Sequence, residues 1–179
     1  SRRVRESGAD EAADGLDRAI AAARGAVERE LVRARAAAAR DNATADGRAA
    51  MAKLIQVVER TEHGARLAFD NAVSDAPYPV GEDILLEMMG PLLENAARFA
   101  LAKVRVEGDG ARLAIEDDGP GLSEADALAV LERGKRLDET GDGQGFGLAI
   151  AHELAQASGA AMTLTRSALG GLRVEIAWP

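Results

Sequence analysis

The chain contains no cysteine, which removes disulfides, thiolate metal sites and cysteine nucleophiles together. Its two histidines leave little for a histidine metal cluster. Aromatic residues are 3% of a sequence that is 47% hydrophobic, so the core has to be packed from Ala, Leu, Val and Ile. No apolar run approaches the ~20 residues that a membrane-spanning helix needs, and Ser1-Arg2-Arg3-Val4-Arg5 has no signal-peptide core. A positive balance is missing too. With 30 acids against 22 Lys and Arg, the formal net charge is −8, which argues against a nucleic-acid-binding surface. Five prolines in 179 residues suit an ordered globular chain of one domain, or one domain and a small appendage. The expectation is a cytoplasmic piece that makes no membrane contact. Because it opens on Ser1 rather than Met, it is expected to be cut from a longer protein.

What the chain does have is two glycine clusters. Asp117-Asp118-Gly119-Pro120-Gly121 and Gly143-Gln144-Gly145-Phe146-Gly147-Leu148 flank a charged, loop-like span. Glycine admits positive φ and lets main-chain N–H groups approach an anion with no Cβ in the way. The second cluster runs into an apolar helical pattern of Leu148, Ala149, Ile150, Leu154 and Ala155. Its amides then sit at a helix N-terminus, where anions bind well. A phosphate-bearing ligand is the reading.

The remaining pattern supplies a frame for these clusters. Leu16, Ile20, Ala23, Val27, Leu31, Ala34 and Ala38 form one stripe on a long helix over about 10–40, ~45 Å from end to end. It either lies along its own domain or joins a bundle or dimer. Asp41 to Gly47 is a breaker cluster, which divides the chain into a helical segment, 1–43, and a second domain, 44–179. A helix over 48–61, a short strand over 66–70 and a loop through Ala76-Pro77-Tyr78-Pro79 follow. A helix from about Glu82 to Leu101 comes next, with Pro91 inside it, where proline costs a hydrogen bond. Val104 and Val106, the turn Gly108-Asp109-Gly110, and Leu113 and Ile115 predict a hairpin that delivers Asp117 at its end. Ser123 caps a short helix through Leu131, and 134–144 is a loop. A helix over 146–158 and strands over 161–166 and 173–178, separated by Gly170-Gly171, close the chain. The element order predicts an α+β fold: a two-layer α/β sandwich whose mixed, mostly antiparallel sheet is covered by helices on one face.

Asn95 stands among apolar neighbours, three residues before Arg98. By itself it is equally a surface Asn or a side-chain oxygen for Mg²⁺ beside a phosphate-binding arginine. Taken in order, an Asn-bearing helix, Asp117-Asp118-Gly119-Pro120-Gly121-Leu122, Glu132-Arg133-Gly134-Lys135-Arg136 and Gly143-Gln144-Gly145-Phe146-Gly147-Leu148 resemble a known family. They are similar to the ATP-binding catalytic domain of sensor histidine kinases, the Bergerat fold, and most similar to its PhoQ-like branch. The resemblance covers about 44–179.

The resemblance implies a two-component signalling kinase that takes ATP and Mg²⁺. Asn95 would be the metal ligand and, with Arg136, catalytic. Arg98 would contact phosphate and Phe99 would stack beside adenine. Asp117 would accept from the adenine amino group in a pocket shaped by Gly119, Gly121 and Leu122. Arg136 and Gln144 would reach the phosphates from a lid. Gly145, Phe146 and Gly147 would bring up backbone amides, and Leu148 would wall the base. Arg133 and Lys135 stay open between lid contacts and solvated cations. Two departures stand out. Pro91 occupies the position where related ATPases hold a water-activating Glu, so self-contained hydrolysis is not expected. Neither His63 nor His152 sits in a phosphoacceptor context. The 10–40 helix then resembles the second helix of a dimerisation hairpin. The implied partners are a phosphoacceptor histidine domain, a response regulator and, in the full-length kinase, a second copy of the chain. The alternative is a non-catalytic, nucleotide-dependent switch or partner-binding module of the same fold.

Overall fold

A computed structural model describes residues 44–123 and 147–179. The long helix over 10–40, the helix after Ser123 and the 134–144 loop lie outside the described residues. In chain order the elements are β1 (Ala45–Asp46), α1 (Gly47–Val58), a 3-10 turn (Gly64–Arg66), β2 (Ala68–Val73) and β3 (Pro77–Tyr78). Next come α2 (Glu82–Phe99), β4 (Lys103–Gly108), β5 (Arg112–Asp117), α3 (Gly147–Ala157), β6 (Ala161–Arg166) and β7 (Leu172–Ala177).

Five strands make one sheet in the order β2-β4-β5-β7-β6. Only β2 and β4 run parallel; the other pairs are antiparallel. The alternation seen in the sequence decides which face is buried, because successive strand side chains point to opposite sides. Val106, Ile115 and Val174 stand abreast, as do Leu113, Ile176 and Met162. All six are buried, and the helices pack on their side. Helix α2 contributes Ile84, Leu85, Met88, Met89, Leu92, Leu93 and Ala96 to the same core. On the opposite face the abreast residues are Arg105, Glu116 and Arg173, with Asp70 beside Arg105. Ion pairs run across that row, from Arg105 to Asp70 at 3.1 Å and from Arg173 to Glu116 at 2.9 Å. A sheet with one apolar and one ionic face needs helices on one side only, so the expected two-layer architecture holds.

Helix α1 starts where the breaker cluster ends: Asp46 caps it by accepting from Ala49 N at 2.9 Å. The β4–β5 turn forms as read, with Gly110 at φ 93° and Asp109 Oδ1 accepting from Ala111 N and Arg112 N.

Two expectations need correction. Strand β2 begins two residues later than the 66–70 reading and continues to Val73. Gly64–Arg66 is taken up by the 3-10 turn, and pairing with six residues of β4 sets the strand's length. Pro77–Tyr78 is no loop; it pairs antiparallel with Ala45–Asp46. The cause is Tyr78. Its ring is fully buried, meets Trp178 edge-on with centroids 5.5 Å apart, and its hydroxyl donates to Arg112 O at 3.0 Å. A Cβ at Gly47 would run into that ring, and one at Gly108 into its hydroxyl. One large anchor therefore draws two short segments together.

Candidate functional site

Three consecutive acids, the last two residues of β5 and the one after it, each hold a different piece of backbone. Glu116, on the ionic face, accepts from Ser167 Oγ at 2.9 Å and Ala168 N at 3.3 Å through Oε2. Its other oxygen accepts from Arg173 Nη1 at 2.9 Å. Asp117, on the core face, accepts from Gly119 N at 2.8 Å and Leu172 N at 3.3 Å, both through Oδ1. Asp118 accepts from Leu101 N at 2.8 Å and Ala102 N at 3.1 Å, which fixes the exit from α2. The end of β5 thus locates the β6–β7 turn, its own glycine loop and the C-terminus of α2.

Asp117 is 3% exposed, and no cation pairs with it among the described residues. Burial holds its carboxyl above the ordinary range, and the neighbouring Asp118 adds to that. The N–H groups of Gly119 and Leu172 pull the other way. Among the described residues the bonds to this carboxylate land on Oδ1, which orients the group and leaves Oδ2 without a donor among them.

The surrounding glycines are there for close approach. A Cβ on Gly119 would collide with Phe99 O and Asp117 Oδ1. Gly121 has φ 73° and lies against the Gly171 backbone. A Cβ on Gly171 would collide with Asp117 Oδ1, Asp117 O and Gly119 N, so there is no room for any side chain. The sequence reading treated Gly170-Gly171 as a strand separator and missed the second glycine's part in the site. Only Gly170, at φ 111°, is demanded by the turn. The surplus glycine was the available signal. Glu116 and Asp118 were likewise passed over, although they sit either side of the acid that was picked.

The second half of the site lies on α2. Pro91, Asn95 and Arg98 fall at i, i+4 and i+7, on one face of the helix. Asn95 is half-buried, and its carboxamide has no hydrogen-bond partner among the described residues. Arg98 is exposed and its guanidinium lies 5.6 Å from the centre of the Phe99 ring, which is itself 45% exposed. Pro91 abuts Gly147, the first residue of α3: a Cβ there would be 3.0 Å from Pro91 Cβ. The face that carries Asn95 therefore approaches the N-terminal end of α3. Leu122 and Leu148 are both partly buried against the core. Arg136, Gln144, Gly145 and Phe146 lie outside the described residues.

A divalent cation fits this half on chemical grounds. Asn95 offers a half-buried amide oxygen with no competing protein donor among the described residues, and Mg²⁺ takes few protein ligands while keeping waters. Among the described residues no group of three or more His, Asp or Glu side chains could hold a metal by itself. No described helix is long and apolar enough to cross a membrane. His63 is exposed beside the 3-10 turn, and His152 lies on α3 with its Nε2 3.3 Å from Gln156 Nε2.

Known proteins share this fold. Residues 81–179 match the family described as histidine kinase-, DNA gyrase B- and HSP90-like ATPases. The sensor protein kinase CarS of Pseudomonas aeruginosa is 44% identical over 125 residues, which cover 67% of this chain and 28% of that protein. The two-component sensor PhoQ of the same organism is 42% identical over 100 residues, 52% of this chain and 22% of that one. The chain thus spans between a fifth and a third of the length of these relatives. Among solved structures, the mycobacterial sensor histidine kinase MprB superposes with a TM-score of 0.64 at 22% identity, covering 77% of this chain and 97% of that one. With that family model matched over more than half of the sequence, the chain belongs to the histidine kinase-, DNA gyrase B- and HSP90-like ATPase family.

Proposed function

We propose that this chain is the catalytic part of a two-component sensor histidine kinase, binding Mg-ATP and passing its γ-phosphoryl group to a histidine that the chain does not contain. The observation that carries the reading is the Asp117 carboxylate, buried, without a cation among the described residues, and oriented through one oxygen by two backbone N–H groups. Such a group is suited to accept a hydrogen bond from the exocyclic amine of adenine. Phe99 stacks beside the base, Gly119 and Gly121 shape its pocket, and Leu122 and Leu148 wall it. Arg98 and the amides around Gly147 meet the phosphates, together with Arg136, Gln144, Gly145 and Phe146.

Asn95 would hold Mg²⁺ at the phosphates. The ion would supply charge neutralisation for a transferring phosphoryl group, which needs positioning more than covalent help. Pro91 carries no proton-accepting side chain, so the site holds ATP for an outside nucleophile rather than activating water. The acceptor is a histidine on a dimerisation hairpin. Residues 1–43 supply its second helix, ahead of an ATP-binding domain over 44–179. A response regulator receives the phosphoryl group afterwards, and the fragment works in the cytoplasm.

The test is nucleotide titration of the wild-type chain and Asp117→Asn, followed by γ-labelled ATP. The Asn side chain retains an oxygen for Gly119 N and Leu172 N but presents a donor to the adenine amine. We expect its ATP binding to fall at least about 100-fold, since a pocket built to pair with one polar group rejects a mismatch strongly. Label should reach an added hairpin domain that carries a histidine. Equal ATP affinity in Asp117→Asn, or label on His63 or His152 with ATP alone, overturns the reading.

A further inference from the structure

We propose that Glu116, acting with Ser167, is a positioning residue for base recognition: it holds the β6–β7 turn over β5 so that Leu172 N reaches Asp117. The proposal rests on the reading of Asp117 as the adenine acceptor. The register shows why a clamp is needed. Pairing between β5 and β7 ends at Glu116↔Arg173, one residue short of Asp117. Beyond that pair the chain leaves the ladder and turns back through Ser167–Gly171. What draws the turn over Asp117 on the core face is Gly171 N to Asp117 O at 3.1 Å and Leu172 N to Asp117 Oδ1 at 3.3 Å. Both bonds are at the long end of the useful range, so small displacements of the turn weaken them sharply.

On the other face of β5 the same turn is anchored through Glu116. Ser167 is 6% exposed and donates to Glu116 Oε2, Ala168 N joins it, and Leu169 N is held by Ser167 Oγ at 2.9 Å. Arg173 fixes the second Glu116 oxygen while also reaching Glu107 and Glu175. Glu116 is 3% exposed although it belongs to the ionic face, because the turn folds over it. Two adjacent β5 acids therefore grip one turn from opposite sides. Only Asp117 is aimed at a ligand. A residue that fixes the orientation of a ligand-contacting group is worth about 10-fold in affinity or more when removed.

The experiment measures ATP and GTP dissociation constants, by displacement of a fluorescent nucleotide, for the wild-type chain, Glu116→Gln, Ser167→Ala and Asp117→Asn, alongside thermal unfolding midpoints. GTP presents an acceptor where ATP presents the amine, so the ratio of ATP affinity to GTP affinity, each the reciprocal of its dissociation constant, isolates the base contact from phosphate binding. Glu116→Gln and Ser167→Ala should each weaken ATP about 10-fold and leave GTP within about 2-fold, which lowers the ratio. A merely structural loss lowers both nucleotides in proportion and overturns the proposal, as does a wild-type ratio in Ser167→Ala. Ser167→Ala removes only a hydroxyl, so it remains decisive if Glu116→Gln fails to fold. If Asp117→Asn also keeps the wild-type ratio, the adenine reading itself has failed; if it alone changes the ratio, only the Glu116–Ser167 clamp has.

Discussion

The two halves of the site are built in opposite ways. At the β5 end, every polar group that matters is tied to backbone from somewhere else in the fold, and Gly119 and Gly171 are packed until no Cβ fits. On α2, Asn95 and Arg98 stand on one helix face, and the Asn95 carboxamide has no partner among the described residues. The first half is preorganised by the sheet; under the proposed function the second would take its geometry from a metal and phosphates. Rigidity suits a flat base whose hydrogen-bond pattern must be discriminated. Freedom suits a charged, hydrated chain of phosphates, where placement by charge counts for more than a single contact.

Three substitutions press on that contrast, in descending order of effect. Gly171→Ala should be the most damaging. The added methyl meets the Asp117 carboxylate and backbone rather than a flexible side chain. We expect about 3 kcal/mol of stability to be lost, read from the urea midpoint, and ATP binding to vanish with it. A tolerated Ala would mean that the β5 end is far softer than its packing implies.

Pro91→Ala comes next and has the opposite sign. Proline inside α2 cannot donate to the carbonyl four residues back, while Ala restores that N–H and retains the Cβ that faces Gly147. Stability should rise by about 1–2 kcal/mol, somewhat less than the intrinsic proline penalty because ring packing is lost. ATP affinity should stay within about 3-fold. A fall in stability would show that the ring itself braces α2 against α3.

Asn95→Ala should be nearly silent in folding, within about 0.5 kcal/mol, since it breaks no bond to a described residue. Its effect belongs to ligand binding: the gain in ATP affinity on adding Mg²⁺, measured by titration with and without the ion, should disappear. A destabilisation of several kcal/mol would assign Asn95 to the fold instead.

Much of the frame could be anticipated from short-range pattern. Val104, Val106, Leu113 and Ile115 alternate around a glycine turn, and that pattern alone puts Asp117 at the end of a strand. Helix α2 announces itself through Ile84 to Ala96 at three- and four-residue spacing, and the breaker cluster Asp41 to Gly47 marks where α1 begins. What escaped was set by distant partners. Pro77–Tyr78 has no period to read; its strand exists because a tyrosine ring 33 positions from Ala45 needs a pocket. Gly171 looks like turn chemistry until Asp117 is brought beside it. Glu116 reads as one more solvated strand acid, and only the turn folded over it makes it buried. Local propensity speaks for a residue's own backbone, while close approach and burial are properties of a pair.

The bond from Leu172 to Asp117 spans 55 positions along the chain. The β4–β5 hairpin can close early, since its contacts are local, whereas this clamp must wait for a long loop to close. During synthesis, then, Asp117 and Gly119 are made well before Leu172, the second amide that orients the carboxylate. A growing chain that already displays the strand and α2 has no finished base pocket until β7 has been made and docked beside β5. A nucleotide that binds through Asp117, as the proposed function has it, would find the pocket complete only after that final docking step.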